Sequence, residues 1–169
     1  MSALATPSSS SSVEGPGSAR SRGLGWVVTQ FVLIAAVILA GFVPPDWPDS
    51  IQPVLSVVGT VVAVAGGGLA VWAAKTLGRS LTPFPKPVPA GLATGGPFAI
   101  VRHPVYTGGI AFFVGYGLWA TIPALVLALC LALLWAGKVR VEERLLRETY
   151  PDYRDYAQRV RWRIVPLVY

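Results

Sequence analysis

Long apolar runs separated by short polar segments set the pattern of this chain. The first run covers residues 24–43 and the second covers residues 51–77. Each run has at least the roughly 20 residues that an α-helix needs to cross a bilayer. The first run is longer than the apolar part of a signal peptide, which has about 7–15 residues, and it does not end in a small-residue cleavage site. Both runs therefore predict membrane-spanning helices.

Two shorter apolar runs follow, over residues 104–120 and 123–137. Both lie near the short limit for crossing a membrane. A tight turn between them predicts a tilted helical hairpin. The second helix of this hairpin is expected to continue to about Thr149, and a short amphipathic helix is expected over residues 151–160.

Composition and charge agree with a membrane protein. The chain is 53% hydrophobic and 13% charged, which is too apolar for a soluble domain of 169 residues. No Lys or Arg occurs within residues 23–74 or 109–137, so a four-helix arrangement places all 14 basic residues on one side, opposite Asp46 and Asp49. Because cytoplasmic loops carry the excess of Lys and Arg, both termini are expected to face the cytoplasm.

The fold class that these patterns predict is all-α, an integral membrane protein with about four transmembrane helices and a cytoplasmic C-terminal helical segment. Residues 1–22 are rich in Ser, Ala and Pro, and we expect a disordered tail there, before a membrane domain over residues 23–169. The net charge of +6 suits the anionic surface of membrane lipid. Since no nucleic-acid motif accompanies the charge, no nucleic acid is expected as a partner.

Two further stretches carry structural expectations. Three consecutive glycines at residues 66–68 lie inside the second apolar run. Glycine is common where membrane helices approach each other closely, so helix packing is their expected role. Residues 82–97 contain five prolines and predict a loop, because proline breaks regular helix.

Residues 95–108, with the sequence GGPFAIVRHPVYTG, combine groups that suit a binding site. Proline is well tolerated at the first position of a helix, so we expect His103 at the start of a helix that begins near Pro104. Residues three apart share a helix face, which places Tyr106 beside His103. With Arg102, these side chains predict a polar cluster at the membrane boundary and at the positive end of a helix dipole.

A second polar segment follows the fourth apolar run and contains adjacent carboxylates at Glu142 and Glu143. On a helix these two side chains diverge by about 100°. Glu143 can pair with Arg147 at the i,i+4 spacing, whereas Glu142 has no evident local partner. Three tyrosines recur at every third residue, a pattern more typical of packing than of chemistry: Tyr150, Tyr153 and Tyr156.

Together the two segments predict a cytoplasm-facing pocket at the membrane surface. Arg102, His103 and Tyr106 would form one wall, and Glu142 and Glu143 would lie opposite. Such a pocket suits a charged cofactor or an amphipathic ligand beside a lipid-borne substrate. No metal is expected, because a single histidine without cysteine or histidine partners does not make a zinc site.

The motif RHPVYTG is followed about 30 residues later by VEERLLRETYPDYRDYAQRV and then by a closing RWRIVP. This combination resembles the isoprenylcysteine carboxyl methyltransferase family and the related phospholipid-methyltransferase-like membrane proteins. The resemblance covers residues 95–166, about half of the chain. The chain departs from the family at residues 150–151, where Tyr-Pro replaces the frequent Phe-Gly, and it has fewer predicted spans than the eukaryotic members.

The resemblance implies methyl transfer from S-adenosylmethionine to a lipophilic or small hydrophobic acceptor. The reaction would take place at the cytoplasmic face of a membrane, here the plasma membrane of a bacterium. It also implies that residues 95–166 form the cofactor-binding part. His103 and Tyr106 would line the cofactor site, and Arg102 and Pro104 would shape it.

The same resemblance implies a role for the acidic pair. Glu142 and Glu143 match the family's two adjacent glutamates, one or both of which would contact the cofactor. No catalytic residue is assigned. Oxygen, sulfur and nitrogen acceptors all stay open.

Two other functions stay open as alternatives. The membrane sterol reductases have a similar C-terminal segment and use NADPH, although they are longer and have more spans. A non-catalytic small membrane protein, such as a carrier or a scaffold, is the other alternative. Proton-coupled carriers usually bury an ionisable residue in the middle of the membrane, and none of the four apolar runs has a charged residue in its middle.

Overall fold

The chain folds into helices joined by short connections. The computed structural model describes residues 16–44, 46–82 and 91–164, with side chains from Gly23 onwards. Within these residues there are five α-helices and no β-strand. The helices are α1 (Pro16–Ala40), α2 (Gln52–Leu77), α3 (Pro104–Trp119), α4 (Ile122–Thr149) and α5 (Tyr153–Arg159). Short 3-10 helices occupy Gly78–Ser80 and Gly96–Ala99.

The predicted all-α membrane fold is confirmed, and α2 to α5 begin and end close to the expected residues. The start of α1 differs, because this helix begins at Pro16 and includes residues 16–22, which were expected in the tail. A proline at the first helical position is consistent with this earlier start. The rest of the expected tail, and residues 83–90 of the expected proline loop, lie outside the described residues.

Among the described helices, three are long and apolar enough to cross a membrane: Gly23–Ala40, Gln52–Ser80 and Ile122–Thr149. Helix α3 has 16 residues, and at 1.5 Å per residue it is about 24 Å long. The hydrocarbon core of a bilayer is about 30 Å thick, so α3 is short for a span. Large apolar side chains point outward from α1 and α2, as expected where helices meet lipid: Phe31, Val32, Leu39, Val57, Val61 and Val64.

Glycines bring α2 and α3 into backbone contact. A Cβ atom on Gly66 would lie 2.5 Å from the backbone nitrogen of Phe112, and one on Gly108 would lie 2.5 Å from the carbonyl oxygen of Gly66. Gly59 and Gly115 approach each other in the same way further along the two helices. The helices are antiparallel, because the earlier glycine of α2 meets the later glycine of α3. The predicted packing role of the glycine triplet is confirmed at Gly66.

Helix α4 packs between α3 and α1. The Thr121 hydroxyl donates to the carbonyl oxygen of Ala40 at 2.7 Å, and the Lys138 ammonium donates to the Gln30 side-chain oxygen at 2.8 Å. The first contact joins the end of α1 to the start of α4, and the second joins an earlier residue of α1 to a later residue of α4. The two helices therefore also run antiparallel. The helices are arranged in the order α2, α3, α4, α1.

The two ends of this helical layer differ in charge. Asp46 and Asp49 lie in the connection between α1 and α2, where Asp46 pairs with Thr121 at the turn between α3 and α4. Every described Lys and Arg side chain belongs to the opposite end, beginning with Lys75 and Arg79 near the end of α2. We call this opposite end the basic end. It contains the start of α3, the last turns of α4, and α5.

The glycine contact leads to a prediction about stability. Gly66→Ala places a methyl group against the backbone of α3, so we expect it to lower the free energy of unfolding by about 1–3 kcal/mol. Gly68→Ala is the matched control, since its Cβ would meet no atom within 4 Å and alanine favours helix over glycine. Thermal unfolding followed by circular dichroism in detergent measures both. Equal stability of the two variants would contradict the packing assignment.

Candidate functional site

The start of α3 is held against the C-terminal segment. His103 is the residue immediately before Pro104, the first residue of the helix. The backbone nitrogens of Arg102 and His103 donate to the carbonyl oxygens of Trp162 and Arg163, each at 2.9 Å. The predicted position of His103 at the start of a helix is therefore confirmed, and the chain beyond α5 is bound alongside it.

The buried Arg102 side chain joins three elements. Its Nη1 atom donates to the carbonyl oxygens of Ala157 and Val160, at 3.2 and 2.9 Å, where α5 ends. Its Nε atom donates to Oε1 of Glu143 on α4 at 2.8 Å. A planar guanidinium suits several such bonds at once. Arg102 therefore fixes α5 and α4 relative to the start of α3.

Glu143 is the buried counterpart of these cations, with 3% of its side chain exposed. Its Oε2 atom lies 3.0 Å from Nε of Arg163 and 3.4 Å from Nη2 of Arg147. The expected i,i+4 pair of Glu143 and Arg147 is thus confirmed. Because Arg102 binds the other oxygen, one carboxylate connects α4 to both the start of α3 and the C-terminal segment.

Glu142 faces the other side of the imidazole. The Tyr106 hydroxyl donates to Oε1 of Glu142 at 2.6 Å. The Nδ1 atom of His103 lies 3.8 Å from Oε2 of Glu142, and its Nε2 atom lies 3.6 Å from Oε1 of Glu143. The rings of His103 and Tyr106 have centroids 6.0 Å apart, as their spacing predicts. The histidine therefore lies between two carboxylates that diverge on their helix.

These side chains border a cavity of about 440 Å³ at the basic end. This volume lies within the range of about 300–1,000 Å³ that small-molecule sites have. Phe31 on α1 and Leu81 after α2 also line the cavity. About half of each of these two side chains is exposed, 55% and 49%. The cavity therefore reaches from the charged cluster to the apolar outer face of the protein.

Sequence reasoning did not identify two polar residues of the cavity wall, Gln30 and Lys138. The Gln30 oxygen accepts from the buried Lys138 ammonium at 2.8 Å and from Nε1 of Trp135 at 3.4 Å. The Lys138 ammonium lies 5.6 Å from the centroid of the Tyr106 ring. Gln30 is a polar residue inside an apolar run, and this is the sequence signal that could have found the pair.

Tyr153 and Tyr156 pack together with Val160 in a buried cluster, so their predicted packing role is confirmed. They also line the cavity. Burial raises the pKa of Tyr156 to about 12 despite the opposing charge of Arg102, and the neutral hydroxyl donates to the carbonyl oxygen of Phe98 at 2.8 Å. Burial, reinforced by the charge of Glu143, raises the pKa of Tyr153 well above its usual value. Both hydroxyls therefore stay protonated at neutral pH.

Two buried side-chain atoms lack a hydrogen-bond partner among the described residues, Nε2 of His103 and the hydroxyl oxygen of Tyr153. Both residues line the cavity. Leaving a buried polar group unpaired costs about 1–3 kcal/mol. Both atoms lie close to Glu143: Nε2 of His103 is 3.6 Å from Oε1 of Glu143, and the charge of Glu143 also acts on the Tyr153 hydroxyl.

The structure brings all six residues singled out in the sequence to the basic end: Arg102, His103, Pro104, Tyr106, Glu142 and Glu143. Four of them line the cavity: Arg102, His103, Tyr106 and Glu142. Pro104 and Glu143 are buried behind the wall. Contact of these residues with a cofactor stays a prediction. Within the described residues, no group of three or more His, Cys, Asp or Glu side chains could hold a metal ion.

The fold and the site define a helical integral membrane protein with a charged cavity at one membrane edge. A family model described as phospholipid methyltransferase matches residues 54–153, more than half of the chain and including all six site residues. The chain belongs to the phospholipid methyltransferase family. This membership supports membrane methyltransferase activity and agrees with the resemblance found in the sequence.

Two curated relatives share parts of the chain. The nickel-cobalt-cadmium resistance protein NccN of Alcaligenes xylosoxydans xylosoxydans is 30% identical over 140 residues, which are 81% of this chain and 61% of that protein. The cobalt-zinc-cadmium resistance protein CzcN of Cupriavidus metallidurans is 36% identical over 70 residues, 40% of this chain and 32% of that protein. The chain thus spans about three fifths and one third of their lengths. No solved structure matches.

The buried carboxylate leads to a prediction about the stability of the site. Glu143→Gln removes the charge that Arg102 and Arg163 share, and breaking a buried ion pair costs about 3–5 kcal/mol. We therefore expect a clearly lower melting temperature in detergent. Glu148→Gln on the same helix is the matched control, because Glu148 is exposed. Equal melting temperatures of the two variants would mean that Glu143 does not hold the site together.

Proposed function

We propose that the protein transfers a methyl group from S-adenosylmethionine to a lipophilic or small hydrophobic acceptor at the cytoplasmic face of the membrane. The observation that carries this proposal is the lining of the cavity, which combines charged groups with the exposed apolar side chains of Phe31 and Leu81. A polar methyl donor can enter such a site from water, and a lipophilic acceptor can enter it from the membrane. Family membership supports the same reaction type.

The donor set of the cavity fits S-adenosylmethionine, which supplies a methyl group on a positively charged sulfur. Glu142 offers a carboxylate on the cavity wall, and His103 and Tyr153 line the same cavity with a ring nitrogen and a hydroxyl. A carboxylate suits the positive groups of the donor, and paired N–H and O–H donors suit its carboxylate end. Charge and hydrogen-bonding capacity are therefore complementary.

The residues of the site differ in their proposed roles. Glu142, His103, Tyr106 and Tyr153 contact the cofactor. Arg102 is a positioning residue, because its side-chain hydrogen bonds go to Glu143 and to the end of α5. Holding the donor in line with the acceptor would be the main task of the site, since orientation can lower a barrier by about 7–11 kcal/mol.

The acceptor would enter from the lipid side. Phe31 is exposed on the outer face of α1 and also lines the cavity. An acyl or aromatic group can pass this side chain without leaving an apolar environment, which fits a lipid substrate. The Lys138 ammonium and the Gln30 amide lie beside this route, where they can orient a polar group on the acceptor.

A binding experiment tests the cofactor assignment. Purified protein should bind radiolabelled S-adenosylmethionine and not a nicotinamide nucleotide, and both His103→Ala and Glu142→Gln should abolish that binding. The physical reason is loss of a hydrogen-bond donor in one variant and of a charge in the other. Scintillation proximity on protein in detergent measures the affinity.

Glu148→Gln is the matched control for this experiment, since it makes the same chemical change on an exposed turn of α4. The variants must also keep a melting temperature near that of the unchanged protein, so that lost binding is not lost folding. Unchanged affinity in both His103→Ala and Glu142→Gln would remove the site assignment. Binding of a nicotinamide nucleotide instead would favour the reductase.

The proposed location is the plasma membrane of a bacterium, with both termini and the basic end in the cytoplasm. Two single-cysteine variants test this orientation, Asp49→Cys and Arg79→Cys, in protein whose Cys130 is replaced by alanine. In intact spheroplasts, a membrane-impermeant maleimide should label residue 49 and should reach residue 79 only after lysis. The reverse pattern would place the cavity on the outer side of the membrane.

A further inference from the structure

A second concave surface is bordered by Glu143, which does not line the cavity. It is a hollow of about 300 Å³, and five arginines line it among the described residues: Arg140, Arg144, Arg147, Arg154 and Arg163. Glu143 and Glu148 also line it, so positive charge exceeds negative charge by three. We call this surface the arginine hollow.

Three separate parts of the chain build the arginine hollow. Arg140, Arg144 and Arg147 have the i, i+4, i+7 spacing of one helix face on α4. Arg154 comes from α5 and Arg163 from the C-terminal segment. The buried Glu143 holds Arg163 at 3.0 Å and Arg147 at 3.4 Å. The cations therefore converge through the tertiary fold and are not the solvated face of a single helix.

The arginine hollow begins at the depth of lipid headgroups, at Arg140, and extends beyond it to Arg144. The apolar run of α4 ends at Gly137, and Arg140 and Arg144 follow it by about 5 and 10 Å along a helix with a 1.5 Å rise per residue. The headgroup region of one leaflet is about 5–8 Å thick. Trp162, next to Arg163, is partly exposed and is of the residue type enriched at that level.

We propose that the arginine hollow binds the phosphate group of an anionic phospholipid in the leaflet at the basic end. One guanidinium group can bind two phosphate oxygens at once through parallel N–H···O bonds, and the opposite charges strengthen this contact. Arg144 and Arg154 are exposed and can approach a phosphate from two different elements. This ligand is separate from the methyl donor and acceptor, and the proposal does not depend on methyl transfer.

Such a lipid would also affect the cavity. Glu143 binds Arg102 through Oε1 and faces Arg147 and Arg163 through Oε2. A phosphate in the hollow competes with Oε2 for these two arginines. Occupancy of the hollow would therefore change how strongly Glu143 holds Arg102, which fixes the cavity wall.

Native mass spectrometry of the full chain tests the proposal with two lipids of equal chain length, phosphatidylglycerol and phosphatidylcholine. The double variant Arg144→Gln/Arg154→Gln should retain phosphatidylglycerol about tenfold more weakly than the unchanged protein, since each basic residue near a membrane surface contributes a severalfold effect. Phosphatidylcholine should bind weakly to both. The control is Lys75→Gln/Arg79→Gln, which removes two exposed charges from the same end of the protein but outside the arginine hollow and should weaken lipid retention much less.

The outcomes separate a built site from diffuse charge. Equal loss of phosphatidylglycerol in both double variants, or no loss in Arg144→Gln/Arg154→Gln, would overturn the proposal. Inorganic phosphate that binds as tightly as the lipid would also overturn it, because the ligand would then be free phosphate. If the double variant does not fold, the single variants Arg140→Gln and Arg144→Gln should each weaken retention about threefold.

Binding of S-adenosylmethionine is measured on the same samples. Retained lipid without cofactor binding would support the arginine hollow and contradict the proposed function. Cofactor binding with no preference for phosphatidylglycerol would support the proposed function and contradict the arginine hollow. The two proposals can therefore fail separately.

Discussion

The rest of the structure depends on one buried carboxylate. Glu143 accepts from Arg102 at 2.8 Å and from Arg163 at 3.0 Å, and an unpaired charge at this depth would cost several kcal/mol. Glu143 therefore needs both cations in place, which requires the start of α3 and the C-terminal segment to pack against the end of α4. Arg102 extends the closure to the end of α5, which brings the buried Tyr153 and Tyr156 against the cavity.

The membrane imposes the second constraint. Glycine contacts let α2 and α3 approach to backbone distance, and α3, with 16 residues, is shorter than a full span. Because α3 is short, we expect His103 at its start to lie near the hydrocarbon boundary. A charged cavity in that position can open onto lipid beside Phe31. Family membership and the proposed acceptor chemistry are both consistent with this arrangement.

Sequence patterns predicted the helices well, because each apolar run ends at a polar or proline-rich segment. The cluster of His103, Tyr106 and Glu142 was also predictable, since proline marks the start of α3 and helical spacing orients the tyrosine. The contact of Gln30 with Lys138 was not predictable, because the sequence of a helix that is apolar on all sides does not show which neighbouring helix it packs against. Nor does spacing show that Arg102 turns to Glu143 and to the end of α5.

A structure of the protein with S-adenosylhomocysteine, the demethylated product, would test the central claim most directly. We expect the amino-acid end of this molecule to contact Glu142, His103 and Tyr153. We also expect the sulfur to face the opening beside Phe31 and Leu81. Product bound outside the cavity, or His103 and Glu142 on separate surfaces of the protein, would contradict it.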